Sequence, residues 1–269
     1  MSETRDVQVA GPGGALPARL YVPKGAAERG PLLVYFHGGG FVDGDLDTID
    51  GVCRFLSASS RVRLLSVEYR KAPEHPFPAA VSDARASLDW VHDNALSLGA
   101  DTSRVGVGGD SSGANLATVA CLLARDDGGP QPRFQLLVYP VVDASRKAKS
   151  FGLFGERFGL TTAKYEWFLD HYAAPPHRSD WRVSPLLAED LSGLPPAYVL
   201  TAGFDILHDE GEAYACRMAE CGVPVVSRCR EDLFHGFARF YELVPSARAA
   251  LAEAAVALRQ HLCGRPKRH

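Results

Sequence analysis

The sequence of 269 residues has no apolar run long enough to cross a bilayer. Its longest apolar stretch near the N-terminus, Leu32 to Phe36, falls far short of the roughly 20 residues a membrane helix needs. The opening Met1 to Val7 carries acids and no apolar core, so no secretory leader and no membrane span are expected. Neither sign of charge dominates. Lys and Arg number 29 against 32 Asp and Glu, for a net charge of −3, which gives nucleic acid no attraction as a partner. The six cysteines, at 53, 121, 216, 221, 229 and 263, form no Cys-x-x-Cys, and no His-x-x-x-His occurs. A zinc site therefore has no ligand pattern, and the scattered thiols read as those of a reduced, cytoplasmic protein. Internal repeats and low-complexity tracts are missing. The 26 glycines and 18 prolines keep no period, which excludes collagen, and 46% hydrophobic with 23% charged residues excludes a disordered chain.

What is present is an alternation of short apolar runs with longer amphipathic ones, the pattern of strands and crossover helices. Strands are expected at residues 5–10, 16–22, 31–36, 63–69, 104–108, 134–139, 196–201 and 225–229. Helices are expected at about 79–96, 112–125, 208–221 and 246–262, with a basic, frayed tail beyond. In the first helix Val81, Ala84, Leu88, Val91 and Ala95 step by three and four, so they share one face. Asp143 to Val183 breaks the alternation. It is far longer than an ordinary αβ loop and holds aromatics at about twice the chain's 9%. The plain reading is a helical insertion with its own small core; its place beside the motifs below favours a lid over a site.

Gly109-Asp110-Ser111-Ser112-Gly113 lies between an expected strand and an expected helix, the context of a nucleophile elbow. The turn is so tight that only glycine fits two residues before and after the serine. Ser111 is the candidate nucleophile. Ser112 is the competing residue, although its backbone N–H is expected to matter more than its hydroxyl. His37-Gly38-Gly39-Gly40-Phe41 directly follows another strand, and its glycines can turn N–H groups toward a developing oxyanion. His37 reads as a structural support for that loop.

A serine hydroxyl needs a base, and the base needs an orienting acid. With a nucleophile elbow these follow the serine in the order acid, then histidine. His235, beside Gly236 after the last strand, is the candidate base. His171, His177, His208, His261 and His269 fall in the insertion, on helices or in the tail. Asp205, at the carboxyl end of the preceding strand, is the candidate acid. Asp209 and Glu210 fall in the first turn of the next helix, where acids complement its dipole.

Four stretches together resemble the hormone-sensitive-lipase-like (family IV) esterases of the α/β-hydrolase superfamily. They are His37 to Val42 with Gly44-Asp45-Leu46-Asp47-Thr48; Glu68-Tyr69-Arg70 with Ala72 to Ala80; Gly109 to Ala117; and Ala202 to Asp205 with Leu207, Asp209 to Gly211 and His235-Gly236-Phe237. The resemblance implies an α/β-hydrolase fold, a mostly parallel eight-stranded sheet flanked by helices, as one domain over 1–269. It implies a cap insertion at about 143–183 and an oxyanion hole from the N–H groups of Gly39, Gly40 and Ser112. It also implies serine esterase chemistry without metal or organic cofactor, with Glu74 and His75 holding the loop before the first crossover helix. Ser112, Ala114 and Lys71 depart from the usual residues. Family members carry a longer stretch before the first strand, so the N-terminal half of the cap is expected to be absent here. A more open site, or a partner subunit in a homodimer, would follow. The expected activity is hydrolysis of small, short-acyl esters. The alternatives are an acyltransferase, a metabolite-specific deacetylase or lactonase on the same triad, and a small-molecule receptor that has lost catalysis.

Overall fold

The computed structural model describes residues 1–145 and 147–264, so the basic tail lies outside the described residues. The chain opens on a hairpin, β1 (Glu3–Gly11) and β2 (Gly14–Val22), followed by β3 (Gly30–Phe36), α1 (Asp50–Ser60) and β4 (Arg63–Val67). Then come α2 (Ala79–Asp93), α3 (Ala95–Leu98), β5 (Ala100–Asp110), α4 (Ser112–Asp126) and β6 (Gln135–Val138). The insertion supplies α5 (Lys149–Phe154) and α6 (Thr162–Tyr172). The chain closes with β7 (Ala197–Phe204), α7 (His208–Glu220), β8 (Val225–Phe234) and α8 (Pro245–Cys263). Among the described residues no helix is long and apolar enough to cross a membrane.

One eight-stranded sheet runs in the order β1-β2-β4-β3-β5-β6-β7-β8. β2 pairs antiparallel with β1 and β4, and all other pairs are parallel. Strand alternation makes two cores. Along β3, Leu32, Val34 and Phe36 enter one core while Leu33 and Tyr35 enter the other. The first core takes in α2, α4, α7 and the insertion through residues such as Leu88, Leu116, Met218 and Phe168. The second is closed by α1 and α8, through Val52, Leu56, Leu251 and Leu258.

After β3 the chain steps to β4 on one side and then returns to β5 on the other. Such a switch of direction leaves a crevice at the carboxyl ends of the strands. Phe36 pairs with Gly109, so the loop from His37 and the turn at Ser111 emerge side by side.

Two local expectations are corrected, and one helix is new. Residues 50–60 form α1, which the sequence does not announce. Its segment is serine-rich and its Ile49 cap makes no side-chain hydrogen bond, so packing on α8 sustains it. The helix expected over 79–96 breaks at Asn94. β8 runs five residues further than expected, to Phe234. It is an edge strand whose mixed exposure hides the period of two.

Candidate active site

The site begins with a strained turn. Ser111 sits at φ 55° and ψ −119°, a conformation that a non-glycine residue keeps only when its surroundings impose it. The neighbours impose it tightly. A Cβ at Gly113 would stand 2.0 Å from the Phe36 carbonyl oxygen, and one at Gly109 would stand 2.4 Å from the Gly113 carbonyl carbon. The Ser111 N–H is tied to Val138 O at 2.9 Å. The hydroxyl is thereby held at the N-terminus of the 15-residue α4.

Ser111 Oγ lies 3.0 Å from His235 Nε2, and His235 Nδ1 lies 2.7 Å from Asp205 Oδ2. Asp205 is 1% exposed and its other oxygen accepts the Leu207 N–H at 2.9 Å, which fixes the carboxylate. A bulge in β8 opposite Ala202–Phe204 brings Phe234, and with it His235, against the end of β7. The structure thus brings together Ser111, Asp205 and His235 in one hydrogen-bonded relay.

The glycine loop lies beside it. A Cβ at Gly39 would stand 1.9 Å from Asp43 O, and one at Gly40, which has φ 62°, would stand 2.2 Å from the Phe168 ring. Only glycine allows the loop to fold on itself and the insertion to pack on it. The Gly39 and Gly40 N–H groups meet no acceptor among the described residues. Ser112 begins α4, so its N–H has no partner within the helix. Ser112 is completely buried.

Several supports escape sequence reasoning. The Asp110 carboxylate is buried and accepts both the Gly38 N–H at 2.9 Å and the Tyr35 hydroxyl at 3.1 Å, pinning the start of the glycine loop. Burial, with this carboxylate beside it, raises the Tyr35 phenol well above its ordinary value. Asn115 sits one turn into α4, and its Nδ2 donates to Val141 O and Val183 O, both at 2.9 Å. It therefore ties both stalks of the insertion to the elbow helix. Glu210 is in the first turn of α7, as expected, but its carboxyl turns inward rather than serving the dipole. Oε1 accepts the N–H groups of Val142 and Asp143 at 2.8 and 3.2 Å. Only the position of Asp110 and Asn115 within the elbow motif could have drawn attention to them.

His37 is buried beneath the glycine loop. Nδ1 lies 2.9 Å from Gly38 O, the ring stacks on Tyr69 at 4.5 Å, and burial lowers its pKa. The Glu74 and His75 side chains are exposed, and of the two only the His75 N–H closes the loop before α2, on Lys71 O at 2.9 Å; Arg70 paired with buried Asp83 supplies the side-chain anchor. The remaining histidines stand apart. His171 and His261 bond to backbone carbonyls of their own helices, and His269 lies outside the described residues. Among the described residues no group of His, Cys, Asp and Glu could hold a metal ion.

Above Ser111 and His235 lies a cavity of about 290 Å³. Leu160, Tyr165, Phe168 and Leu169 of the insertion form its roof, with Val141 and Phe234 on its walls. A volume at the small end of ligand pockets with aromatic and aliphatic walls suits a short apolar group.

Residues 33–239 match the family described as alpha/beta hydrolase fold. A carboxylic ester hydrolase, LipN of Mycobacterium tuberculosis, is 46% identical over 97% of this chain and 71% of its own length. The ethyl acetate hydrolase of Pseudomonas putida is 40% identical over 93% of this chain and 80% of its own. Among solved structures, an α/β-hydrolase enzyme from the metagenome of Lake Arreo superposes with a TM-score of 0.95 at 42% identity, covering 98% of this chain and 84% of that one. The thermostable carboxylesterase EstE1, cloned from a metagenomic library, gives 0.94 at 45% identity over 97% and 90%. The matched stretch spans the glycine loop, the elbow and the acid and base segments, and the chain belongs to the α/β-hydrolase fold family, in its hormone-sensitive-lipase-like branch.

Proposed function

We propose that the chain is a serine carboxylesterase for short-chain acyl esters. The observation that carries the reading is the Ser111–His235–Asp205 relay beneath a small cavity whose lining is mainly apolar, with Asp43, Lys164 and Arg239 also lining it. Ser111 Oγ attacks the ester carbonyl as His235 Nε2 takes its proton. Asp205 orients the imidazole through Nδ1 and stabilises its charged form. The N–H groups of Gly39, Gly40 and Ser112 receive the oxyanion, in a place where water is displaced and a hydrogen bond is worth more. His235 then protonates the departing alcohol, leaving an acyl-enzyme, and water repeats the sequence. The aromatic insertion acts as a lid that sets the length of the acyl group. The relative named for ethyl acetate hydrolysis supports a short chain.

The test is hydrolysis of p-nitrophenyl esters from acetate to long chains, with Ser111→Ala beside the native protein. Activity is expected to peak at short chains and to fall on the order of 10⁴-fold or more in the variant. Equal turnover by both proteins overturns the nucleophile, and a maximum at long chains overturns the substrate class. Products formed with added alcohol distinguish hydrolysis from acyl transfer. All six cysteines are free thiols, which supports a reducing, cytoplasmic setting. Sedimentation tests the homodimer: a single species of 29.0 kDa overturns it.

A further inference from the structure

Lys71 takes no part in the relay, yet it stands behind the glycine loop. Its Nζ donates to Gly44 O at 2.5 Å and pairs with the Glu68 carboxylate. Glu68 Oε2 accepts the Leu46 N–H at 3.0 Å and lies 3.7 Å from His37 Nε2, a buried nitrogen without a hydrogen bond. The next residue, Ala72, donates its N–H to Phe41 O at 2.9 Å. The segment after β4 therefore grips the loop from outside at residues 41, 44 and 46.

Inside the loop there is no slack between these grips and the oxyanion donors. A Cβ at Gly44 would stand 2.4 Å from Gly38 O. The N–H groups of Val42 and Asp43 both close on Gly39 O, at 3.1 and 2.8 Å. A displacement of Gly44 must pass to Gly39 and Gly40, because nothing between them can absorb it.

We infer that Lys71 is a positioning residue, which sets the oxyanion donors Gly39 and Gly40 by anchoring the far leg of their loop through Gly44 and Glu68. The inference rests on the esterase reading above. Lys71 touches no reacting atom, so its effect belongs to the transition state, where the oxyanion exists, and not to ground-state binding. An ammonium is suited to the place because it serves a carbonyl and a carboxylate together.

Lys71→Met keeps most of the stem and removes the charge. With p-nitrophenyl acetate it is expected to lower kcat about tenfold, a fraction of the 10²–10³ lost with a whole donor. KM is expected to stay within about twofold, as the loss is confined to the transition state. Phenylboronic acid, which forms a tetrahedral anion on the serine, is expected to bind about tenfold less well for the same reason. Lys71→Arg should recover most of both losses. Glu68→Gln should move both quantities in the same direction, and the double variant should lose less than the two effects combined, since they share one contact. Native kcat and boronate affinity in Lys71→Met, with only a lower melting temperature, would show a purely structural role and overturn the inference. A raised KM at native kcat overturns it too. Should Lys71→Met fail to fold, native kcat in Glu68→Gln does so instead. A native protein that hydrolyses no ester defeats the esterase reading itself, whereas equal turnover in native and Lys71→Met proteins defeats only the role of Lys71.

Discussion

Replacing Asn115 by alanine should loosen the insertion from the sheet without touching the relay. The side chain is fully buried, and among the described residues its Nδ2 alone serves Val141 O and Val183 O. Both valines are buried at the two ends of the insertion, so neither carbonyl gains a water easily. An unsatisfied buried acceptor costs about 1–3 kcal/mol, which puts the variant about 2–5 kcal/mol below the native protein. For a chain of this length that is a drop of about 5–15 °C in melting temperature. Urea unfolding gives the free energy, and hydrogen exchange locates it. Protection should fall over residues 141–183 and persist along β3 and β5. KM should rise, because Tyr165 and Phe168 line the cavity from that segment. Asn115→Asp refines the test. Its carboxylate would face two carbonyl oxygens, so its deficit should widen as pH rises. A loss below about 1 kcal/mol, or exchange spread evenly over the sheet, would refute the view that Asn115 holds both stalks.

Three further outcomes follow from the geometry. Asp205→Asn should fold normally yet lose about 10⁴ in kcat, since the imidazole would be held in the wrong tautomer; a loss below tenfold would show that another group orients His235. Gly113→Ala drives a Cβ to 2.0 Å from Phe36 O where the backbones of β3 and α4 meet, so little folded protein should be recovered, and a stable, active variant would refute the steric account of the elbow. Burial holds the Glu210 carboxyl well above its ordinary value of 4.5. The folded protein keeps that proton while the unfolded chain releases it, so Glu210 makes stability fall as pH rises above 4.5. Glu210→Gln keeps the acceptor for Val142 and Asp143, and in urea unfolding from pH 5 to 8 it should lose less stability than the native protein; an unchanged slope would refute the assignment.

The candidate site was legible where chemistry dictates local sequence. Two glycines must flank an elbow, and a base must follow its acid in a fixed chain order, so Ser111, Asp205 and His235 could be named without coordinates. Buried strands such as β3 and β5 were equally plain, because apolar runs ending in glycine leave few alternatives. Long-range partners left no such mark. Nothing in Asp110 or Asn115 discloses that one holds Gly38 and the other Val141 and Val183, since each contact depends on how distant segments meet. Glu210 misled for the same reason: its first-turn position was read correctly, but the direction of its side chain is set by the insertion. α1 stayed hidden because its stability comes from α8, almost 200 residues away in the chain.

The relay is also spread along the chain, with Ser111 and His235 separated by 124 residues and the histidine supplied after the last, outermost strand. During synthesis the elbow can form long before its base exists. On the proposed mechanism, a chain whose β8 is not yet in place displays a serine with no proton acceptor, chemically mute toward esters. Turnover on that mechanism requires β8 to be docked, so activity would report completion of the sheet's outer edge and not collapse of the central strands.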